Sequence, residues 1–224
     1  MPVISKPSAV LFDWDGTLIN SIPYKYEAIN KIHDFFGQPH EDPLQVRHYA
    51  ATVKEVNFPI RFGAENAEKA LEMYAQLIAE THDRIFGTPE NLQKILLPGA
   101  DAILEYLHDM NVPMSIVSNN TSSALHHELA SIGWGRYFKN VYGASDLPYP
   151  KPDARAALHA LKSLVIRPDR SVWFIGDSPA DIACANNAGL TSILITSQPY
   201  RHESAPMLTF TGLPEFLVHI RNLR

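Results

Sequence analysis

The chain has a single cysteine, Cys184, among its 224 residues, so neither an intrachain disulfide nor a thiolate metal cluster can form. Cys184 reads as a small buried residue. A basic surplus is missing too. The formal net charge is −5 and no run of lysine or arginine occurs, which argues against nucleic-acid binding through phosphate neutralisation. A small phosphate-bearing ligand remains compatible, since one or two placed cations suffice for it. No unbroken apolar stretch approaches the length that crosses a bilayer. The first twelve residues hold one lysine and two prolines but not the apolar core of a secretory signal. These absences predict a cytoplasmic protein that partners neither membrane nor nucleic acid.

What is present is the composition of a folded chain, 46% hydrophobic and 19% charged. Its length fits one large domain, or a core domain carrying a smaller inserted one. Four short apolar runs, β-branched-rich and bounded by turn signals, predict buried strands at 9–12, 113–117, 171–175 and 192–195. A weaker fifth lies near 140–142. Helical spacing of apolar residues predicts helices at 100–110, 122–132, 154–164 and 180–188. Strands alternating with helices predict an α/β fold, a Rossmann-like parallel sheet with helices on both faces. The stretch from about Ser21 to Leu97 breaks that rhythm with no convincing strand and many helix formers. It reads as an inserted helical cap domain, 21–97, with Pro98-Gly99 marking return to a core of 1–20 and 98–224. After a loop at 198–206 a final helix is predicted at 214–221.

Polar residues follow the predicted strands, and in an open parallel sheet ligands gather at the strands' carboxyl ends. Asp13 and Asp15 follow the first strand; Ser118, Asn119 and Asn120 the second. Asp177 ends the third long strand, with Asp181 in the next helix, and Lys151 lies in a loop, "YPKPD". Carboxylates gathered at one point repel one another unless a cation compensates them, and hard oxygen ligands suit magnesium. One carboxylate in such a cluster can attack phosphorus, and a second can protonate the leaving group and then deprotonate water. A lysine would balance phosphoryl charge, and Ser118 or main-chain amides near Trp14 and Asn119 would donate to phosphoryl oxygens. Gly16 permits a tight turn, and Thr17 is a candidate helix cap.

The ordered set "DWDGT", "SIVSNN", "KPD" and "GDSPAD" resembles the four motifs of the haloacid dehalogenase-like hydrolase superfamily. The helical insert after the first motif resembles the cap of its phosphoglycolate phosphatase-like and β-phosphoglucomutase-like branch. The resemblance implies roles by position. Asp13 is the nucleophile and a Mg2+ ligand; Asp15 is the general acid and base, its carbonyl also reaching the metal. Ser118, Asn119 and Lys151 bind phosphate, with Lys151 pairing the nucleophile as well. Asp177 coordinates the metal, and Asp181 stands behind it. Retention of Asp15 favours phosphate esters, because branches that lack this acid attack carbon or hold substrate through a cap lysine.

The expectation is therefore a magnesium-dependent phosphatase that hydrolyses a small phosphorylated metabolite, of phosphoglycolate or sugar-phosphate type, through an aspartyl-phosphate. The alternatives are a phosphosugar mutase and a catalytically silent binding protein on the same fold. Asn20 departs from the aspartate common at that place, which removes a charge near the hinge. Lys54 is expected to be a surface residue. Tyr24, Arg47, His48 and Arg61 are candidates to reach substrate from the insert, though each taken singly reads as bundle surface. His126 and His127, adjacent on a helix, are expected to point apart into solvent.

Overall fold

The computed structural model describes residues 6–50, 52–200 and 202–223; the side chains of Arg47 and His48 lie outside what is described. Six parallel strands form one sheet: β1 (Ala9–Phe12), β2 (Met114–Val117), β3 (Phe138–Tyr142), β4 (Val172–Gly176), β5 (Thr191–Ile195) and β6 (Leu208–Phe210), in the order β3-β2-β1-β4-β5-β6. The chain runs outward on one side of β1 and then returns to build the other side. The switch point thus lies between β1 and β4, where a crevice opens at the carboxyl ends of the strands.

Alternation along β1 sets the layers. Val10 and Phe12 point to one face, where they meet α6 (Ala100–Asp109), α7 (Ser122–Ile132) and α10 (Leu213–Arg221) through Ile103, Leu104, Leu125 and Phe216. Ala9 and Leu11 point to the other, against α8 (Ala154–Leu164) and α9 (Pro179–Asn187), whose Ala156, Ala157, Ala160 and Ala185 let the helices sit close. Both faces are covered, which is why β1 and β4 carry no polar side chain at either alternate position.

The predicted strands and core helices appear within one or two residues of their expected ends. β6 differs, being three residues long at the sheet edge, too short to give a period-2 pattern. Between β1 and α6 come five helices and no strand among the described residues: α1 (Ile22–Phe36), α2 (Pro43–Ala50), α3 (Lys54–Phe62), α4 (Ala67–Phe86) and α5 (Pro89–Ile95). They hold an apolar cluster of their own, built on Tyr24, Ile29, Ile32, Phe58, Phe62 and Ile78. The chain leaves and re-enters the sheet layer side by side: Asn20 N–H donates to Ile95 O at 2.6 Å and Leu97 N–H to Leu18 O at 3.0 Å. Asn20 is exposed beside this crossing, joined by its main chain.

Thr17 is not a helix cap. It lies in the turn after β1, where its hydroxyl donates to Asp13 Oδ2 at 3.3 Å, and α1 begins only after Ser21. No helix of the described residues is long and apolar enough to cross a membrane.

Candidate active site

Asp13 follows β1 directly and is buried, its N–H donating to Ile175 O of the neighbouring strand at 2.9 Å. Lys151 reaches it from the loop before α8, with Nζ 2.5 Å from Asp13 Oδ1 and 2.7 Å from Asp181 Oδ1. Asp181 is fully buried at the third position of α9. Its Oδ2 accepts from Ser178 N–H at 3.0 Å and from Ser178 Oγ at 2.6 Å. This carboxylate therefore caps its own helix with one oxygen and holds Lys151 with the other.

Two glycines make the crowding possible. A Cβ on Gly16 would stand 2.3 Å from Asp177 Oδ2, and the residue's φ of +84° is one that side chains disfavour. A Cβ on Gly176 would lie 2.3 Å from Asp181 Cβ. Through these approaches Asp13, Asp177 and Asp181 bring carboxylate oxygens within 4.8 Å of one another.

Lys151 bonds to two of these three carboxylates, Asp13 and Asp181. Burial, then the charge of Asp181 and that of Asp177, push the Asp13 carboxyl up to about 8, although Lys151 pulls it back. Lys151 itself is held charged against burial by Asp13 and Asp181. Three carboxylates converging on one point are hard oxygen donors of the kind that fits a divalent cation such as magnesium.

Asp15, across Trp14 from Asp13, belongs to a different ion pair. Its Oδ1 lies 2.7 Å from Nζ of Lys25, which α1 carries, and both side chains are nine-tenths buried. Burial alone would raise the Asp15 carboxyl; Lys25 overrides it and holds the group below the ordinary carboxylate range.

The loop after β2 supplies Ser118, whose Oγ accepts from Asn120 N–H at 3.1 Å. The Asn119 side chain spans the main chain of Lys151, donating to its O at 2.9 Å and accepting from its N at 3.0 Å. Asn119 thus positions the lysine with its side chain.

The insert corrects three surface expectations. Tyr24 is 2% exposed and donates to Glu128. Arg61 is buried against Glu41 at 2.7 Å, where its fork is matched by both carboxylate oxygens. Lys54, the first residue of α3, lies over the Tyr74 ring at 5.1 Å and lines a cavity with Lys25, Asn57 and Tyr74. Burial, then the neighbouring Lys25, lowers its ammonium to about 8. Among the described residues no carboxylate lies within ion-pair distance of it. His126 and His127 do point apart: His126 is exposed toward Asp146 at 4.0 Å, and His127 stacks on His82.

Lys25 carries no motif and could not be singled out by spacing. Glu128 could have been, for it falls on the apolar stripe of α7 beside Leu125 and Leu129, where a solvated glutamate has no place.

Residues 10–195 match the family described as haloacid dehalogenase-like hydrolase. The phosphoglycolate phosphatase 1 of Pseudomonas aeruginosa is 29% identical, over 94% of this chain and 79% of that protein. The phosphoglycolate phosphatase of Pseudomonas putida KT2440 is 28% identical, over 85% and 70%. A haloacid dehalogenase-like hydrolase structure from Bacteroides fragilis superposes with a TM-score of 0.80 at 22% identity, covering 94% of this chain and all of that one. A β-phosphoglucomutase from Clostridium difficile gives 0.78 at 20%, covering 96% and 97%. At these identities the two structures speak for a shared fold.

Proposed function

The chain belongs to the haloacid dehalogenase-like hydrolase family, and from that premise we propose that it is a magnesium-dependent phosphatase of small phosphoric monoesters. The observation that carries the reading is the pairing of two unlike carboxylates on one loop: Asp13 on Lys151 in the acidic cluster, Asp15 on Lys25 outside it. The phosphatase names of the relatives support it.

In this reading Asp13 attacks phosphorus, an Asp13–phosphorus bond forms, and the bond from phosphorus to the leaving oxygen breaks. Asp15 gives that oxygen its proton. It then takes a proton from water, which attacks the aspartyl-phosphate and frees inorganic phosphate and Asp13. Lys151, held in place by Asn119, Asp13 and Asp181, offsets the charge of the transferring group, and the Ser118 hydroxyl and nearby main-chain amides hold its oxygens. Asp13, Asp177 and the Asp15 carbonyl, with Asp181 behind them, would hold the magnesium, which supplies positive charge to the phosphoryl oxygens.

Residues 21–97 act as the cap over this site. Lys54 supports an anionic leaving group, because one cation without a carboxylate partner matches one additional negative charge, such as a carboxylate in a phosphoglycolate-like ester. A panel of phosphoglycolate, sugar phosphates and nucleoside monophosphates, assayed with magnesium, tests the reading. The highest kcat/KM is expected for the ester with a carboxylate. Turnover of none would sink the phosphatase, and isomerisation of a sugar phosphate that needs a bisphosphate primer would turn the reading to a mutase.

A further inference from the structure

Glu128 is a carboxylate 1% exposed, placed where an isolated charge would be expensive. Its Oε2 accepts from Trp14 Nε1 at 2.6 Å. Its Oε1 accepts from the Tyr24 hydroxyl at 3.0 Å and lies 2.9 Å from His82 Nε2, which donates in the tautomer protonated there. The partners come from three parts of the fold. Trp14 is the residue between Asp13 and Asp15, Tyr24 lies on α1 of the insert, and His82 lies on α4 of the insert.

All three partners are buried, so water does not stand in for a lost bond. Glu128 itself rides on α7, which begins directly after the Ser118–Thr121 loop. One side chain therefore connects the phosphate-binding loop, the two-aspartate loop and both long helices of the insert. Tyr24 also precedes Lys25, the partner of Asp15. Whatever fixes the Tyr24 hydroxyl fixes the start of α1 and with it the lysine.

We infer that Glu128 is a positioning residue that pins the helical insert to the loop bearing Asp13 and Asp15. It touches no reacting atom. It acts through Trp14 on the loop and through Tyr24 and His82 on the insert. Its catalytic consequence rests on the phosphatase reading, whereas the tether itself does not.

The test uses the full chain with Glu128→Leu, Glu128→Gln and Tyr24→Phe. Without substrate or metal, amide exchange in α1 and α4 and the indole N–H resonance of Trp14 are recorded. Glu128→Leu is expected to speed exchange in those helices about tenfold or more, with the central strands unchanged, and to move the indole resonance upfield. Glu128→Gln keeps an acceptor and should restore the indole resonance. Tyr24→Phe should loosen α1 and leave that resonance in place. With magnesium and an aryl phosphate, Glu128→Leu should lower kcat about tenfold or more with a smaller change in KM, and Glu128→Gln should recover most of it. If the leucine variant does not fold, the other two carry both arms.

Unchanged exchange and an unchanged indole resonance in folded variants overturn the tether, whatever the activity. Changed exchange with wild-type kcat and KM overturns the positioning role. An inactive wild-type chain with the expected exchange leaves the tether standing and removes the phosphatase reading instead.

Discussion

Lys25 Nζ lies 2.7 Å from Asp15 Oδ1, so a lysine of the helical insert is bonded to a carboxylate of the sheet layer. The pair keeps Asp15 ionised, which suits a base and opposes an acid. If Asp15 acts as the acid proposed above, its proton is available only when the Lys25 ammonium is drawn off it.

Lys25→Met should let the Asp15 carboxyl rise. For an ester with a poor leaving group the basic limb of the pH–rate profile then moves to higher pH; an unmoved limb would count against the pair's control of the acid. Asp15 is depressed, so its share of stability exists above the ordinary carboxylate pKa and disappears as pH falls through its folded value. Lys25 is raised, so its share exists below the ordinary lysine pKa and disappears at higher pH. Across neutral pH the substitution should cost about 3–5 kcal/mol in urea unfolding, because it strands a buried charge.

Asp15→Asn should slow alkyl phosphates by about 100-fold or more while aryl phosphates, which leave without a proton, lose much less. Equal losses on both would remove the acid role from Asp15.

Asp13 titrates in the opposite sense. Its folded value of about 8 lies above the unfolded one, so without metal the folded state binds more protons between about pH 4 and 8. Stability from this group should fall as pH rises through that window. Magnesium should restore it, by about 2.7 kcal/mol at a hundredfold excess over Kd. Asp13→Asn should abolish turnover and flatten the metal-free dependence, raising Tm above neutral pH. Thermal melts with and without chelator check both.

Lys54→Met should raise KM for a carboxylate-bearing ester about tenfold, equivalent to about 1.4 kcal/mol, and leave an aryl phosphate nearly unaffected. With a lysine value of about 8, wild-type KM for the acid should rise as pH passes that value, and the variant should lose this rise. Identical KM profiles for wild type and variant would place the substrate's tail elsewhere.

Asn119→Ala removes both bonds to the Lys151 main chain. Activity should drop about 10- to 100-fold, as for residues that orient a catalytic group, with little change in far-UV circular dichroism. Full activity would show that the lysine is held adequately by its carboxylates alone.

Much of this architecture was legible because it is written in short-range patterns. The apolar runs at 9–12 and 192–195 fall in β1 and β5, and α7 and α8 span 122–132 and 154–164 as their apolar spacing predicts. Three of the four motif segments lie where strands end, so the sheet alone carries Asp13, Ser118 and Asp177 to one edge, whereas Lys151 arrives from the loop before α8. Thr17 was misread because a cap and a turn residue share the same local chemistry, and only the position of Asp13 separates them.

The sequence by itself determined the sheet, its helical insert and the residue types that meet at the strand ends, because periodicity and turn chemistry act over a few residues. Only the tertiary structure decided that Lys25 meets Asp15, that Asn119 holds Lys151 across 32 positions, and that Lys54 faces a cavity. It also decided that Glu128 joins loop and insert. Those partnerships depend on how helices pack against one another. That packing sets which long polar side chain is desolvated beside which, and no local pattern encodes it.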